Sequence, residues 1–240
     1  MLKDQVAIIT GASRGIGKEI AFQLAGQGMK LTVVGSSDEV YASAEELKQK
    51  GFTNILAVQA DISKEADVQN VVAKTMEAYG DIDLLVNNAG IGFFKLTEEV
   101  TFDEWQKVFE VNVHGVFLGA KAVLPHMKER KSGTILTISS DVGRYTIANG
   151  SAYTATKYAV QGFSGSLAQE VREYGIRVGT INPGMVDTYF AGGSQGVPEK
   201  EDWLKVEDIA KAVVYMASAP KHMVIDEIVL HPLIQQYPIA

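Results

Sequence analysis

Short apolar runs rich in β-branched residues recur along the chain, at Val6–Thr10, Leu31–Val34, Ile55–Val58, Leu84–Val86, Thr134–Ile138, Arg177–Ile181 and Val224–Leu230. Between most of them lie longer segments with helical spacing. Ile16, Ile20 and Leu24 fall at four-residue steps, as do Leu118, Ala122 and His126, while Val160, Phe163, Leu167 and Val171 follow a three-and-four step. That spacing places apolar side chains on one face of a helix. Strand and helix in alternation predict an α/β fold, a doubly wound parallel sheet with helices on both faces. The strands read as near-continuous apolar runs, as burial on both faces requires. With no repeat, low-complexity stretch or Pro-rich linker, the 240 residues read as one domain. The least regular stretch, Tyr189–Glu201, holds three Gly and one Pro. A loop of that length in a compact domain is more often functional than structural, so residues 188–201 are expected to form a substrate lid.

Composition narrows the function. The chain is 46% apolar and 21% charged, as a folded globular protein is. A net charge of -7 with no Lys/Arg cluster argues against nucleic acid as a partner, because phosphate binding needs a basic face. The lack of Cys excludes disulfides, thiol catalysis and Cys-based zinc sites. His114, His126, His222 and His231 have no metal-ligand spacing, so no metal is expected. The run Val6–Ile9 is too short for a secretory signal, and no stretch of about 18 apolar residues could span a bilayer. A cytoplasmic protein with a small-molecule partner is the expectation.

The first strand leads straight into Thr10-Gly11-Ala12-Ser13-Arg14-Gly15-Ile16-Gly17 and then a helix. Such a turn lets backbone N–H groups and a helix N-terminus approach a phosphate without interference from Cβ atoms. Its spacing is Gly-x-x-x-Gly-x-Gly, which differs from the common Gly-x-Gly-x-x-Gly fingerprint and is no Walker A motif. A tight turn without a ligand is the competing reading. Farther along, Tyr153 and Lys157 are four apart and share a face if a helix starts near Ser151. Carbonyl reduction needs hydride on carbon and a proton on oxygen. A phenol can supply the proton, and a neighbouring ammonium is expected to lower its ordinary pKa of about 10. An exposed helix pair is the bland alternative.

These motifs, in this order, resemble the short-chain dehydrogenase/reductase family, whose glycine motif is Thr-Gly-x-x-x-Gly-x-Gly, and the resemblance covers essentially the whole chain. It implies a Rossmann-type NAD(P)-dependent oxidoreductase that moves hydride between nicotinamide and a carbonyl or alcohol. Tyr153 would be the acid/base, Lys157 its partner, and Ser140, thirteen residues before Tyr153, the hydrogen-bond donor to the substrate oxygen, with Ser139 as the competing candidate. Asn112 would hold a water that links Lys157 to solvent. Cofactor contacts are implied at Gly11, Ser13, Arg14, Gly15, Ile16 and Gly17, and at Asp61 and Ile62 near the adenine. They continue at Asn88, Ala89 and Gly90 beside the ribose, and at Pro183, Gly184, Val186 and Thr188 around the nicotinamide, with Tyr153 and Lys157. Asp61 reads equally as a helix cap, and Asn87–Gly90 as an Asn/Gly-rich turn.

The end of the second strand should select between NAD and NADP. Ser36 stands where NAD-preferring members carry an acid, and Arg14 matches the basic residue of NADP-using relatives, so NADP(H) is expected, although Asp38 and Glu39 lie close by. The closing segment His222–Pro232 lacks the glycines of acyl-carrier-protein reductases and is more similar to the branch with 3-hydroxy acid dehydrogenases and sepiapterin-reductase-like enzymes. A small ketone, aldehyde or hydroxy acid is the expected substrate, with Tyr189 and Phe190 contacting it. A 3-oxoacyl thioester is the alternative, and a catalytically silent dinucleotide-binding regulator a remote one. Thr101–Glu129 and Ser151–Tyr174 carry further apolar positions, such as Val116, Phe117 and Phe163, and the family pairs these helices across a dimer interface, usually within a tetramer.

Overall fold

The computed structural model describes residues 2–236. Seven strands, β1 (Val6–Thr10), β2 (Lys30–Gly35), β3 (Ile55–Gln59), β4 (Leu84–Asn87), β5 (Gly133–Ile138), β6 (Ile176–Pro183) and β7 (Glu227–Leu230), pair in parallel in the order β3-β2-β1-β4-β5-β6-β7. This is the doubly wound Rossmann sheet that the strand–helix alternation predicts. β1, β4 and β5 are buried at every position, the consequence of helices on both faces.

The helices are α1 (Gly15–Gly26), α2 (Glu39–Gln49), α3 (Glu65–Tyr79), α4 (Phe102–Phe109), α5 (Gly115–Arg130), α6 (Ser151–Val171) and α7 (Val206–Ala217). Ile20, Leu24, Val40, Ile209 and Val213 belong to the core on one side of the sheet. Val71, Val123, Met127, Leu167 and Val171 belong to the core on the other. The connection of β1 to β2 runs one way and that of β4 to β5 the other, which leaves a crevice beyond the carboxyl ends of β1 and β4, where ligands bind in such sheets.

Three local differences from the sequence pattern stand out. The expected strand at Val224 begins only at Glu227, with the carbonyls of Ile225 and Asp226 packed closely over Gly179. The segment expected as one helix over 101–129 is broken by a π-helical turn at Glu110–His114. Its start is fixed by a capping box, in which Glu104 N donates to Thr101 Oγ1 and Thr101 N to Glu104 Oε2. Val116 is buried within the chain, whereas Phe117 is half-exposed and meets Phe163 edge-on.

Candidate active site

The crevice is a single large cleft of about 1110 Å³, lined from the ends of β1, β2, β4, β5 and β6. At β1, the glycine turn is shaped by steric necessity. Gly11 has φ 66° and Gly15 φ 56°. A Cβ on Gly17 would lie 2.2 Å from the Gly11 carbonyl oxygen and 2.4 Å from Asn88 Nδ2, so the turn could not close with any larger residue there. Nothing lies within 4 Å of a Cβ built on Gly15, which faces open space. No side chain caps the first turn of α1, so its N–H groups are available to an anion from the cleft. Asn88 braces this turn: its Nδ2 donates to the Thr10 and Gly11 carbonyls, at 2.8 and 3.0 Å, while Asn88 N and Ala89 N donate to Thr10 Oγ1.

Ser13, Arg14, Ile16, Ser36, Asp61, Ile62, Ala89, Gly90, Pro183, Gly184, Val186 and Thr188 all line the same cleft, so the predicted cofactor contacts converge. Asp61 is engaged locally as well. It accepts from Ser63 N and Oγ, and the Ser63 hydroxyl leads the effects that hold its carboxyl below the ordinary range. The Arg14 guanidinium stands over the Tyr189 ring, 5.5 Å from its centroid, and Glu39 reaches the cleft wall beside Ser36. Open glycine turn, uncapped helix end and flanking hydroxyls together fit a dinucleotide pyrophosphate and ribose.

At the cleft floor α6 brings Tyr153 and Lys157 to one buried face. Lys157 Nζ lies 5.5 Å from the Tyr153 ring centroid and donates to the Ile138 carbonyl at 3.0 Å. Burial pushes this ammonium down, to about 8. The expected lowering of the phenol does not follow. Burial drives Tyr153 upward, a hydrogen bond with Ser140 pulls it part of the way back, and the Asp141 carboxylate raises it again. Ser140, rather than Ser139, is the serine that reaches the phenol. Its Oγ also lies 3.1 Å from Asp141 Oδ1 and 3.3 Å from the Pro183 carbonyl.

Asn112 is buried behind this group, inside the π-helical turn and not on the cleft wall. Its side chain accepts from Ile91 N and donates to Ile91 O, both at 2.9 Å, and to Thr156 Oγ1 at 3.1 Å. It therefore ties the loop after β4 to α6, from within the π turn. Phe94 and Phe190 flank Tyr153, with ring centroids 6.3 and 5.1 Å away. The segment carrying Phe190 is clasped by Lys200, whose Nζ donates to Thr188 O and Ser194 O, and by Asp187, which accepts from Gly196 N. Phe94, Asp141, Met185, Trp203 and Gln235 also line the cleft, and the sequence pattern gave no sign of them. Among the described residues, no group of three potential ligands could hold a metal.

A parallel sheet with a dinucleotide-shaped cleft and a buried Tyr–Lys–Ser floor defines an enzyme class that transfers hydride to or from carbonyl carbon. The chain belongs to the short-chain dehydrogenase family, whose model matches residues 5–196. It is 34% identical over 233 residues to an oxidoreductase of Staphylococcus saprophyticus, covering 97% of this chain and 99% of that one. Among solved structures it is similar to an alcohol dehydrogenase from Thermococcus sibiricus complexed with 5-hydroxy-NADP, at TM-score 0.92 and 36% identity, covering 99% of this chain and 100% of that one. It is also similar to a 3-ketoacyl-(acyl-carrier-protein) reductase from Brucella melitensis complexed with NADH, at TM-score 0.88 and 32% identity over 97% of this chain and 99% of that one. The chain is thus a nicotinamide-dinucleotide-dependent oxidoreductase acting on CH–OH groups.

Proposed function

We propose that this chain catalyses reversible, NADP(H)-dependent reduction of a small neutral ketone or aldehyde, with Tyr153 as the proton donor. The observation that carries the reading is the contact of Tyr153 with Ser140 on a floor that also holds Lys157. A dinucleotide held by the glycine turn would supply or accept the hydride at the substrate carbon. Tyr153 gives its proton to the carbonyl oxygen in reduction and takes it back in oxidation. Lys157 favours the phenolate left behind and, with its pKa brought to about 8, keeps a proton in play near neutral pH. Asn112 holds Ile91 and Thr156 in place, and through them the cleft floor, and binds the water that reconnects Lys157 with solvent.

The substrate end supports a neutral carbonyl over a hydroxy acid. Phe94 and Phe190 surround the phenol, and the one acid at the floor, Asp141, opposes a second carboxylate. The cations nearest the floor are engaged: Lys107 with Glu110, Lys200 on two carbonyls, and Lys157 on the Ile138 carbonyl. Residues 188–201 act as the lid, with Tyr189 and Phe190 as its apolar cover. The half-exposed or exposed Phe102, Trp105 and Phe117 supply an apolar face for a homo-oligomer.

NADP is favoured because Ser36 replaces an acid at the end of β2 and Arg14 is within the glycine turn. The direct test is initial rates with NADPH and NADH across neutral ketones, aldehydes, 3-hydroxy acids and an acetoacetyl thioester. Highest kcat/KM with a neutral carbonyl and NADPH supports the reading, and a preference for the thioester or the acids removes it. Ser36→Asp should move the NADPH/NADH ratio of kcat/KM towards NADH by roughly tenfold, the scale of one repulsive charge against the 2′-phosphate.

A further inference from the structure

Asp141 follows directly on Ser140 and is almost completely buried at the cleft floor. Its Oδ1 faces the Ser140 hydroxyl. Its Oδ2 accepts from Gln235 Nε2 at 2.6 Å and lies 3.3 Å from His231 Nε2. Both of these side chains come from the segment after β7, nearly a hundred residues away in sequence. The Gln235 amide has a fixed sense, because its Oε1 accepts from Met185 N at 2.9 Å and its NH2 is then left facing the carboxylate. The same segment lies close against Gly184, where a Cβ would come within 2.1 Å of Gln235 Oε1 and 2.8 Å of His231 Cδ2. This clamp is built into the fold and belongs to neither the glycine turn nor the Tyr–Lys pair.

A serine hydroxyl carries one proton. Around Ser140 stand two groups that only accept, the Asp141 carboxylate and the Pro183 carbonyl, and two that can donate, the Val142 N–H at 3.4 Å and the Tyr153 phenol. A charge-assisted bond to a carboxylate is the stronger of the two acceptor contacts. While Tyr153 is protonated, the serine proton therefore points at Asp141 and its lone pairs at the phenol; turned towards the phenolate, the same hydroxyl stabilises it, which is the lowering effect of Ser140 on Tyr153.

We propose that Asp141 is a positioning residue acting through Ser140: clamped by Gln235 and His231, it takes the serine proton and so holds Tyr153 as the hydrogen-bond donor, poised for carbonyl reduction. No bond to carbon is involved. When substrate arrives, the phenol swings its O–H from Ser140 Oγ to the carbonyl oxygen and transfers that proton as hydride reaches the carbon. The other charged or titratable groups around Asp141 are Tyr153 and Lys157 on α6, His231 on the closing segment, and Tyr145 and Arg144 on its own loop. Arg144 is tied to Glu227 of β7. The inference rests on the reading of Tyr153 as the acid/base.

The test is Asp141→Asn, followed as kcat/KM for alcohol oxidation against pH at saturating dinucleotide. Loss of the charge should move the rising limb about one unit lower, a roughly tenfold gain in rate on its acid side, with dinucleotide Kd unchanged. In a Ser140→Ala background the same substitution should move the limb by much less, leaving only the direct effect of the Asp141 charge on the phenol. Equal loss of rate at every pH, with the limb unmoved, would show a merely structural role and overturn the proposal. An equal shift in both backgrounds would overturn the route through Ser140. Asp141→Ser, uncharged and smaller, is held to the same outcomes if the amide does not pack. Tyr153→Phe run alongside separates the two claims: full activity there removes the acid/base reading, whereas an inactive Tyr153→Phe with an unmoved Asp141→Asn limb removes only the role of Asp141.

Discussion

The two ends of the cleft are made of different material. At the dinucleotide end the chain presents backbone: a glycine turn that a single Cβ would block, an uncapped helix terminus, and Asn88 amide bonds to main-chain carbonyls. All of it comes from the ends of neighbouring central strands. At the substrate end the walls are side chains from segments far apart in sequence, Phe94 after β4, Phe190 in the clasped loop and Gln235 beyond β7. Backbone geometry at the glycine turn tolerates almost no substitution, since a Cβ on Gly17 has no room. Side-chain walls can be exchanged one residue at a time without disturbing the sheet. Cofactor binding and substrate choice are therefore physically separable in this molecule.

The largest way to break that separation is at the backbone end. Gly17→Ala puts a methyl group against Gly11 O and Asn88 Nδ2, and should weaken dinucleotide binding by about 100-fold, roughly 3 kcal/mol, as titration calorimetry would read. A Kd within a fewfold of wild type would show that the turn has room the structure denies it.

Lys157 tests the floor that the two ends share. Its native pKa of about 8 lies below its ordinary 10.5. Below pH 8 the ammonium is charged in both folded and unfolded chains, and its burial destabilises the fold by about 3 kcal/mol. Between pH 8 and 10.5 the unfolded chain binds the extra proton, so stability rises with pH and the cost disappears. Lys157→Met should then be more stable than wild type below pH 8, with the gain fading towards pH 10.5 in denaturant titrations. A stability difference independent of pH contradicts this.

The smallest effect sharpens the comparison at the side-chain end. Phe190→Ala removes one ring from beside Tyr153 and should raise substrate KM by roughly tenfold, while dinucleotide Kd stays within twofold. A matching loss in dinucleotide affinity would mean that the two ends are not separable.

The same contrast explains what could be read from sequence. The strands and the glycine turn were legible because burial on both faces and steric exclusion leave period and spacing in the chain itself. Tyr153 and Lys157 are picked out by their helical step, and Ser140 by the resemblance to the family; the fold brings all three to the cleft. The π turn around Asn112 was not, since one extra residue in a helix barely disturbs an apolar stripe. Val116, expected with Phe117 among the apolar positions of an interface helix, is buried within the chain, whereas Phe117 is half-exposed. Asp141, His231 and Gln235 left no signal: an acid after a serine pair and a polar closing segment look like loop residues until the chain is folded and β7 brings them together. The direction of the phenol shift was also misread, because a helix step reports proximity to Lys157 but not burial.

The most direct test of Tyr153 as the acid is Tyr153→Phe, which keeps the ring against Phe94 and Phe190 and removes only the hydroxyl. Turnover should fall by at least roughly 100-fold, the scale of general acid catalysis, with dinucleotide Kd and the melting temperature close to wild type. Near-normal turnover in that variant would contradict the assignment of the acid, and with it the proposed chemistry of the site.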